Sequence, residues 1–166
     1  GLPITMDYLV EQLHTYVTQF VQTPPYHIVA SSLGGKIAVE FAVRYPELMG
    51  RLILLCPSGM GDVEQLPIME GVKGNDPHAI VKAVFHKPSI ADTNLLHYYQ
   101  RVFQSRKWKM GLIKTVKGTN DVVVRSKLKD LKVPTLLVAC EFDKIVNPQE
   151  GMEAAKELPL GWGLMI

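Results

Sequence analysis

Several features are scarce or missing in this sequence, and each absence excludes a class of protein. Charge of one sign does not dominate, because 18 basic residues stand against 16 acidic ones, and the two signs are interspersed. This distribution gives no reason to expect binding to nucleic acid or to an anionic membrane. No apolar run approaches the roughly 18–20 residues that span a bilayer, and no signal-peptide pattern opens the sequence. We therefore expect a soluble, cytoplasmic protein with no membrane span and no nucleic-acid partner.

Cysteine and histidine are also sparse. The two cysteines, Cys56 and Cys140, each end an apolar run, which favours buried free thiols in a reducing compartment over a disulfide framework. There is no HExxH motif and no pair of cysteines or histidines at metal-ligand spacing, so no metal site is expected. Gly34 and Gly35 lack the lysine and hydroxyl pattern of a phosphate-binding loop, so no cofactor is expected either.

What the sequence does contain is the alternation of strands and helices typical of an α/β protein. Short apolar runs without polar alternation occur at residues 27–31, 51–56 and 135–140, and such runs predict parallel strands covered on both faces. A helix is predicted over residues 33–45, between the first two strands, and another over residues 5–21, ahead of them. The apolar face expected for that first helix contains Leu9, Leu13, Tyr16, Val17 and Phe20.

The middle of the sequence has a different character. Glycines and prolines divide it into short pieces between residues 58 and 131, and the apolar spacing inside those pieces is helical. We therefore predict a core of residues 1–57 and 132–166, forming a mostly parallel sheet with flanking helices. Residues 58–131 are predicted to form a helical insertion that acts as a cap or lid over an apolar pocket.

The junction between the first strand and its helix contains the pattern small-x-Ser-x-Gly. Ala30 occupies the first position, Ser32 the centre and Gly34 the last, which is the form of a nucleophile elbow. In such a turn the serine hydroxyl is exposed at the top of the sheet, and the N–H of the next residue, Leu33, lies at a helix start where it can stabilise an oxyanion. Ser31 would then be buried or turned aside. A plain glycine-rich turn is the alternative.

A second segment, VPTLLVACEFDKIVNP at residues 133–148, pairs a buried strand with a loop that carries Asp143. Together with YHIVASSLGGKIAVEFA, it resembles the α/β-hydrolase superfamily. The resemblance implies Ser32 as nucleophile, Leu33 as a donor of one oxyanion N–H and Asp143 as the acid that orients a histidine. Ala30 and Cys140 depart from the family's usual glycines, but both replacements are small. Asp143 has a plainer alternative as a turn residue.

The histidine that completes this triad is missing from its expected place, which lies after the acid in the chain order of the family. The last histidine is His97, and only His86 or His97 could face the pocket from the cap. The 31 residues before Ser32 also leave no room for the strand whose loop supplies the second oxyanion donor. We therefore expect an internal portion of a longer hydrolase, which is inactive alone because it lacks the triad histidine.

Three classes of function follow from these patterns. The first is a serine hydrolase that cleaves an ester-like bond of a small apolar acyl compound through an acyl-enzyme, with a carbon–carbon bond hydrolase or an acyltransferase as alternatives on the same scaffold. The second is a noncatalytic protein that binds a small molecule. The third is an assembly fragment, which self-associates or is completed by another chain through unpaired sheet edges.

Overall fold

The fold is built on one parallel sheet. The structure is a computed structural model that describes residues 4–21, 23–61, 69, 74, 76–87 and 93–166. In these residues the strands follow one another across the sheet in the order in which they occur in the chain. They are Tyr26–Ser31 (β1), Met49–Leu55 (β2), Thr135–Ala139 (β3) and Gly161–Met165 (β4).

The helices of the described residues fall into two groups. In one group, each helix packs on the sheet or on a helix that does; this group consists of Met6–Phe20 (α1), Leu33–Arg44 (α2) and Pro148–Ala155 (α6). The other lies between β2 and β3 in the chain, and it consists of Pro77–Val84 (α3), Thr93–Phe103 (α4) and Arg106–Thr119 (α5). Short 3-10 turns occur at Pro46–Leu48 and Arg125–Asp130.

Local signals account for several helix starts. Thr5, Asp76, Ser105 and Asn147 each precede a helix and accept a hydrogen bond from a backbone N–H of its first turn, as N-cap side chains do. The predicted α/β architecture is confirmed, and β1, β2, β3, α1 and α2, the elements predicted with ranges, match those ranges to within about two residues.

The buried face of α1 differs from the prediction. Met6, Val10 and Val17 are buried, whereas Tyr16 and Phe20 are 58% and 72% exposed. The apolar pattern of this helix extends around most of its circumference, so spacing alone did not identify the side that meets α2. The two aromatic residues contact each other on the outer side instead.

Only one face of the sheet is covered by helices of the described residues. Helix α2 packs on β1 and β2, and α6 packs on β3 and β4. The prediction that the strands are covered on both faces is therefore wrong for β1 and β2, which alternate between buried and more exposed positions, as β4 also does. It fits β3 better, since four of its five residues are buried. Paired residues of the opposite face form a row across all four strands, which consists of Val29, Ile53, Leu136 and Trp162. We call this surface the open face; Val29 and Trp162 are each 64% exposed.

The covered face contains the main core, where α2 lies close to the end of β2. Phe41, Leu54 and Leu137 are fully buried there. The close approach depends on Gly35 rather than on Gly34. A Cβ on Gly35 would lie 2.7 Å from Pro57 Cβ and 3.0 Å from Pro57 Cα, whereas a Cβ on Gly34 would meet only Ala30 Cβ at an ordinary 3.9 Å.

These distances predict different effects for two neighbouring substitutions. Gly35→Ala should lower the free energy of unfolding by about 1–3 kcal/mol, because the new methyl group forces α2 away from the backbone at Pro57. Gly34→Ala is the matched control and should leave the free energy unchanged or raise it by up to about 1 kcal/mol, because alanine restricts the unfolded chain. Urea unfolding followed by circular dichroism measures both, and equal losses in the two variants would contradict the packing described here.

Candidate active site

The turn between β1 and α2 holds Ser32 in a backbone conformation that L residues rarely adopt. Its φ is 51° and its ψ is −122°, a conformation that costs about 1–3 kcal/mol and persists only where neighbouring structure enforces it. Three hydrogen bonds do so here: Ser32 N donates to Leu55 O at 3.1 Å, and Ser32 O accepts from Gly35 N at 2.8 Å and from Ser58 N at 3.1 Å. The strand, turn and helix thus have the arrangement that the elbow pattern predicts.

Ser32 is exposed and borders a cavity of about 710 Å³ at the carboxyl end of the sheet. Leu33 and Asp143 border the same cavity, so all three predicted site residues are brought together. Much of the remaining wall is apolar and comes from the helical segment between β2 and β3 and from the loop after β3; it includes Val84, Phe85, Leu112, Val116 and Ile145.

Asp143 is held by the loop that follows β3. Its Oδ1 accepts hydrogen bonds from Ile145 N at 2.8 Å and from Val146 N at 3.0 Å, and the side chain is half-buried. This turn is the structure that the plainer interpretation of Asp143 predicts. Asp143 also borders the cavity, so its role as the acid that orients a histidine stays a prediction.

Two side chains that the sequence interpretation did not single out, those of Ser58 and Lys36, border the same cavity as Ser32. The Oγ of buried Ser58 is 3.4 Å from Ser32 Oγ. Lys36, also buried and bordering the cavity, donates through Nζ to Thr119 O at 3.1 Å and to Asn120 O at 3.3 Å. The Lys36 amino group thus donates to carbonyl groups at the carboxyl end of α5 and ties α5 to α2. Ser58 was detectable, since it follows a predicted strand whose carboxyl end meets that of β1.

Ser31 differs from the expectation that it is buried or turned aside. Its side chain is exposed and borders the cavity. Ser31 alternates along β1 with Ala30, which is on the covered side, so its side chain belongs to the open face.

Two histidines were candidates to face the pocket, and the structure separates them. His86 borders the cavity, and its ring stacks on Phe142 with the centroids 4.1 Å apart. His97 is exposed on α4 and is not among the residues that border the cavity. In the described part of the chain, no hydrogen bond joins a histidine to Ser32 or to Asp143.

The two cysteines also border the cavity and contact each other. Both thiols are free and half-buried rather than fully buried, and Cys56 Sγ donates to Cys140 Sγ at 2.9 Å. Burial, the hydrogen bond with Cys140 and the neighbouring charge of Asp143 raise the pKa of the Cys56 thiol to about 12. At neutral pH Cys56 is therefore protonated.

The described residues contain no group of three or more histidine, cysteine or acidic side chains placed to hold a metal ion. Among the same residues, no helix has both the length and the apolar character that a membrane span requires.

The parallel sheet, the tight turn at Ser32 and the shared cavity define the class of protein as an α/β-hydrolase, and solved structures of the same fold agree. The carboxylesterase CesB from Bacillus subtilis superposes with a TM-score of 0.81 at 17% identity, over 100% of this chain and 60% of its own. The 2-hydroxy-6-oxo-6-phenylhexa-2,4-dienoate hydrolase from Rhodococcus sp. strain RHA1 gives a TM-score of 0.82 at 17% identity, over 100% of this chain and 65% of its own.

The sequence model of the serine aminopeptidase S33 family matches residues 4–161, and the chain belongs to this family. YugF of Bacillus subtilis strain 168, described as an uncharacterized hydrolase, is 25% identical over 156 residues, which cover 86% of this chain and 57% of YugF. A 2-hydroxy-6-oxo-6-phenylhexa-2,4-dienoate hydrolase from Comamonas testosteroni is 46% identical over 48 residues, 28% of this chain and 17% of its own. The chain spans about half the length of the curated relatives that match most of it.

The raised pKa of Cys56 predicts a slow reaction with alkylating agents. At pH 8, iodoacetamide should modify Cys56 roughly 10- to 100-fold more slowly than N-acetylcysteine, because the loss of thiolate outweighs the greater nucleophilicity of a more basic sulfur. The rate should keep rising with pH towards about 12, as the thiol ionises. Peptide mass spectrometry of the unsubstituted 166-residue chain, here called the parent chain, measures the rate of Cys56 alkylation. The peptide that contains Cys140 is the internal comparison. Alkylation of Cys56 as fast as the free amino acid would contradict this environment.

Proposed function

We propose that this chain carries the nucleophile and the acid of a serine hydrolase that cleaves ester-like bonds through an acyl-enzyme. The observation that carries the proposal is the strained turn at Ser32, which exposes a hydroxyl to a cavity that Asp143 also borders. Strain of this kind is kept where function needs it. Membership of the serine aminopeptidase S33 family supports the same chemistry.

The proposed steps assign one task to each residue. Ser32 Oγ attacks the carbonyl carbon of the substrate and gives up its proton to a histidine base, forming a tetrahedral oxyanion. The N–H of Leu33, the first residue of α2, stabilises that oxyanion, because it has no acceptor within the helix. Asp143 keeps the base in the right tautomer, and water then releases the acyl group from Ser32.

The substrate that fits best is a small apolar acyl compound. The cavity of about 710 Å³ lies within the usual range for small-molecule sites, and much of its wall is apolar. Helices α3 and α5 contribute Val84, Leu112 and Val116 to that wall, which supports a cap role for residues 58–131. A carbon–carbon bond hydrolase is the second candidate, because the stretch that matches the Comamonas testosteroni enzyme is 46% identical to it.

We also propose that the catalytic base is a histidine outside these 166 residues, so that the chain alone has little activity. The support is that no described histidine hydrogen-bonds to Ser32 or Asp143, while the ring of His86 is engaged with Phe142. Without its base a serine hydroxyl stays protonated, and loss of a triad member removes about 10⁴–10⁶ in rate.

Imidazole added from solution can stand in for the missing base and tests this proposal. Hydrolysis of p-nitrophenyl butyrate by the 166-residue chain should be close to that of the Ser32→Ala variant. With imidazole, the part of the rate that depends on Ser32 should rise at least about 10-fold, recovering a fraction of the 10²–10⁴ that a positioned base contributes.

Two variants make the test decisive. His86→Ala should respond to imidazole as the parent chain does, because His86 is not the base in this proposal. Loss of Ser32-dependent turnover in His86→Ala would assign the base to His86. An equal response of Ser32→Ala and the parent chain would remove Ser32 from the mechanism.

The open face supports a further proposal, which is self-association or completion by another chain. Val29, Trp162 and Leu164 are exposed apolar side chains on this face, and apolar surface of this kind favours association. β1 is an edge strand of the sheet. The backbone N–H and C=O groups on its outer side offer a second route to association, because a strand of another chain can pair with them.

If the open face drives association, the 166-residue chain should elute in size-exclusion chromatography as a dimer or larger species whose share grows with concentration. Trp162→Lys should shift the distribution towards monomer, because a charge on the open face must be desolvated on association. Tyr98→Lys is the matched control, since Tyr98 is exposed on α4, away from the sheet. A parent chain that stays monomeric at every concentration would contradict the proposal.

A further inference from the structure

The two cysteines form a contact that hydrolysis does not use. Cys56 follows β2 and Cys140 follows β3, and β2 and β3 pair in parallel. The two sulfurs are 2.9 Å apart although the residues are separated by 84 positions in the sequence. They therefore meet because the strands end side by side, not because of local chain geometry.

The backbone around both cysteines is tightly held. Cys56 N donates to Val138 O at 2.8 Å, and Asp143 N donates to Cys140 O at 3.0 Å. Cys56 has a φ of 43°, the left-handed region that non-glycine residues rarely adopt. Hydrogen bonds therefore hold the backbone from which each cysteine side chain projects.

Small reagents in solution have a route to the pair. Both side chains are half-buried, and both border the same open cavity as Ser32. Neither sulfur is sealed in the core, which is where structural cysteines are inert.

From these observations we infer that Cys56 and Cys140 form a reversible disulfide within one chain when a small disulfide such as oxidised glutathione enters the cavity. A disulfide bond is about 2.05 Å long, so the sulfurs must approach each other by only about 0.85 Å. This inference concerns a modification site and does not rest on the proposed hydrolase function.

The reaction balances as two thiol–disulfide exchanges. In the first, the Cys140 thiolate attacks one sulfur of oxidised glutathione, an S–S bond breaks and one glutathione thiolate leaves. In the second, Cys56 loses its proton to solvent and attacks the Cys140 sulfur, which expels the second glutathione. Two S–H bonds of the protein are oxidised to one S–S bond, and one oxidised glutathione is reduced to two thiols.

The environment of Cys56 supports this order. Burial and the adjacent Cys140 and Asp143 raise the pKa of Cys56 to about 12, which makes Cys56 a poor first attacker on an external disulfide. Once Cys140 carries a glutathione, its sulfur is the electrophile closest to Cys56. The second exchange is then an intramolecular step between groups already in contact, and such steps are strongly favoured over encounters between chains.

The test uses the whole 166-residue chain, fully reduced and then incubated with oxidised glutathione. The number of thiols per chain that iodoacetamide modifies under denaturing conditions should fall from two, the number of cysteines in the sequence, to none. The mass of the intact chain should fall by the mass of two hydrogen atoms. Peptide mapping should find the peptides of Cys56 and Cys140 joined, and dithiothreitol should restore both thiols. The extent of bridging should not depend on protein concentration.

The Cys56→Ser variant is the matched control, because it removes the second exchange and should trap one glutathione on Cys140. A parent chain that keeps two alkylatable thiols would overturn the inference. So would a parent chain that accumulates glutathione adducts, or one that forms disulfides only between chains. These readouts are masses and thiol counts, so they remain valid whether or not Ser32 proves to be a nucleophile.

Discussion

The reversal of the chain at Ser32 is the constraint on which the rest of the site depends. A positive φ at a serine is unfavourable on its own, and here hydrogen bonds with β2, with α2 and with Ser58 after β2 hold it in place. The same reversal brings α2 so close to Pro57 that Gly35 has no room for a side chain. The strain at one residue is therefore supported by the packing of the whole covered face.

The parallel sheet explains why residues far apart in the sequence meet at this turn. Parallel strands place their carboxyl ends at one edge, and each of the first three strands contributes a polar group there: Ser32 after β1, Ser58 after β2 and Asp143 after β3. The two cysteines occupy the same edge for the same reason. One geometric rule thus produces the proposed catalytic residues and the thiol pair together.

Much of this arrangement was predictable from local patterns. The strand runs, the helix caps and the elbow at Ser32 are encoded within short segments, and Asp143 follows from the strand that precedes it. The buried side of α1 and the open face were not predictable in this way, because tertiary contacts decide which apolar side chains are covered. The place of Ser58 at the carboxyl edge of the sheet was detectable from the strand before it. Its contact with Ser32, like the contact of Cys56 with Cys140, depends on the order of the strands across the sheet, which residue spacing does not encode.

The most direct test of the central claim is to find which side chain reacts as a nucleophile. The chain is incubated with a fluorophosphonate in the presence of imidazole, and the modified residue is identified by peptide mass spectrometry. Our account predicts a phosphonate adduct on Ser32, with Ser31 and Ser58 unmodified, although both lie beside it at the cavity. An adduct on Ser31 or Ser58, or one that persists at the same level in the Ser32→Ala variant, would contradict it.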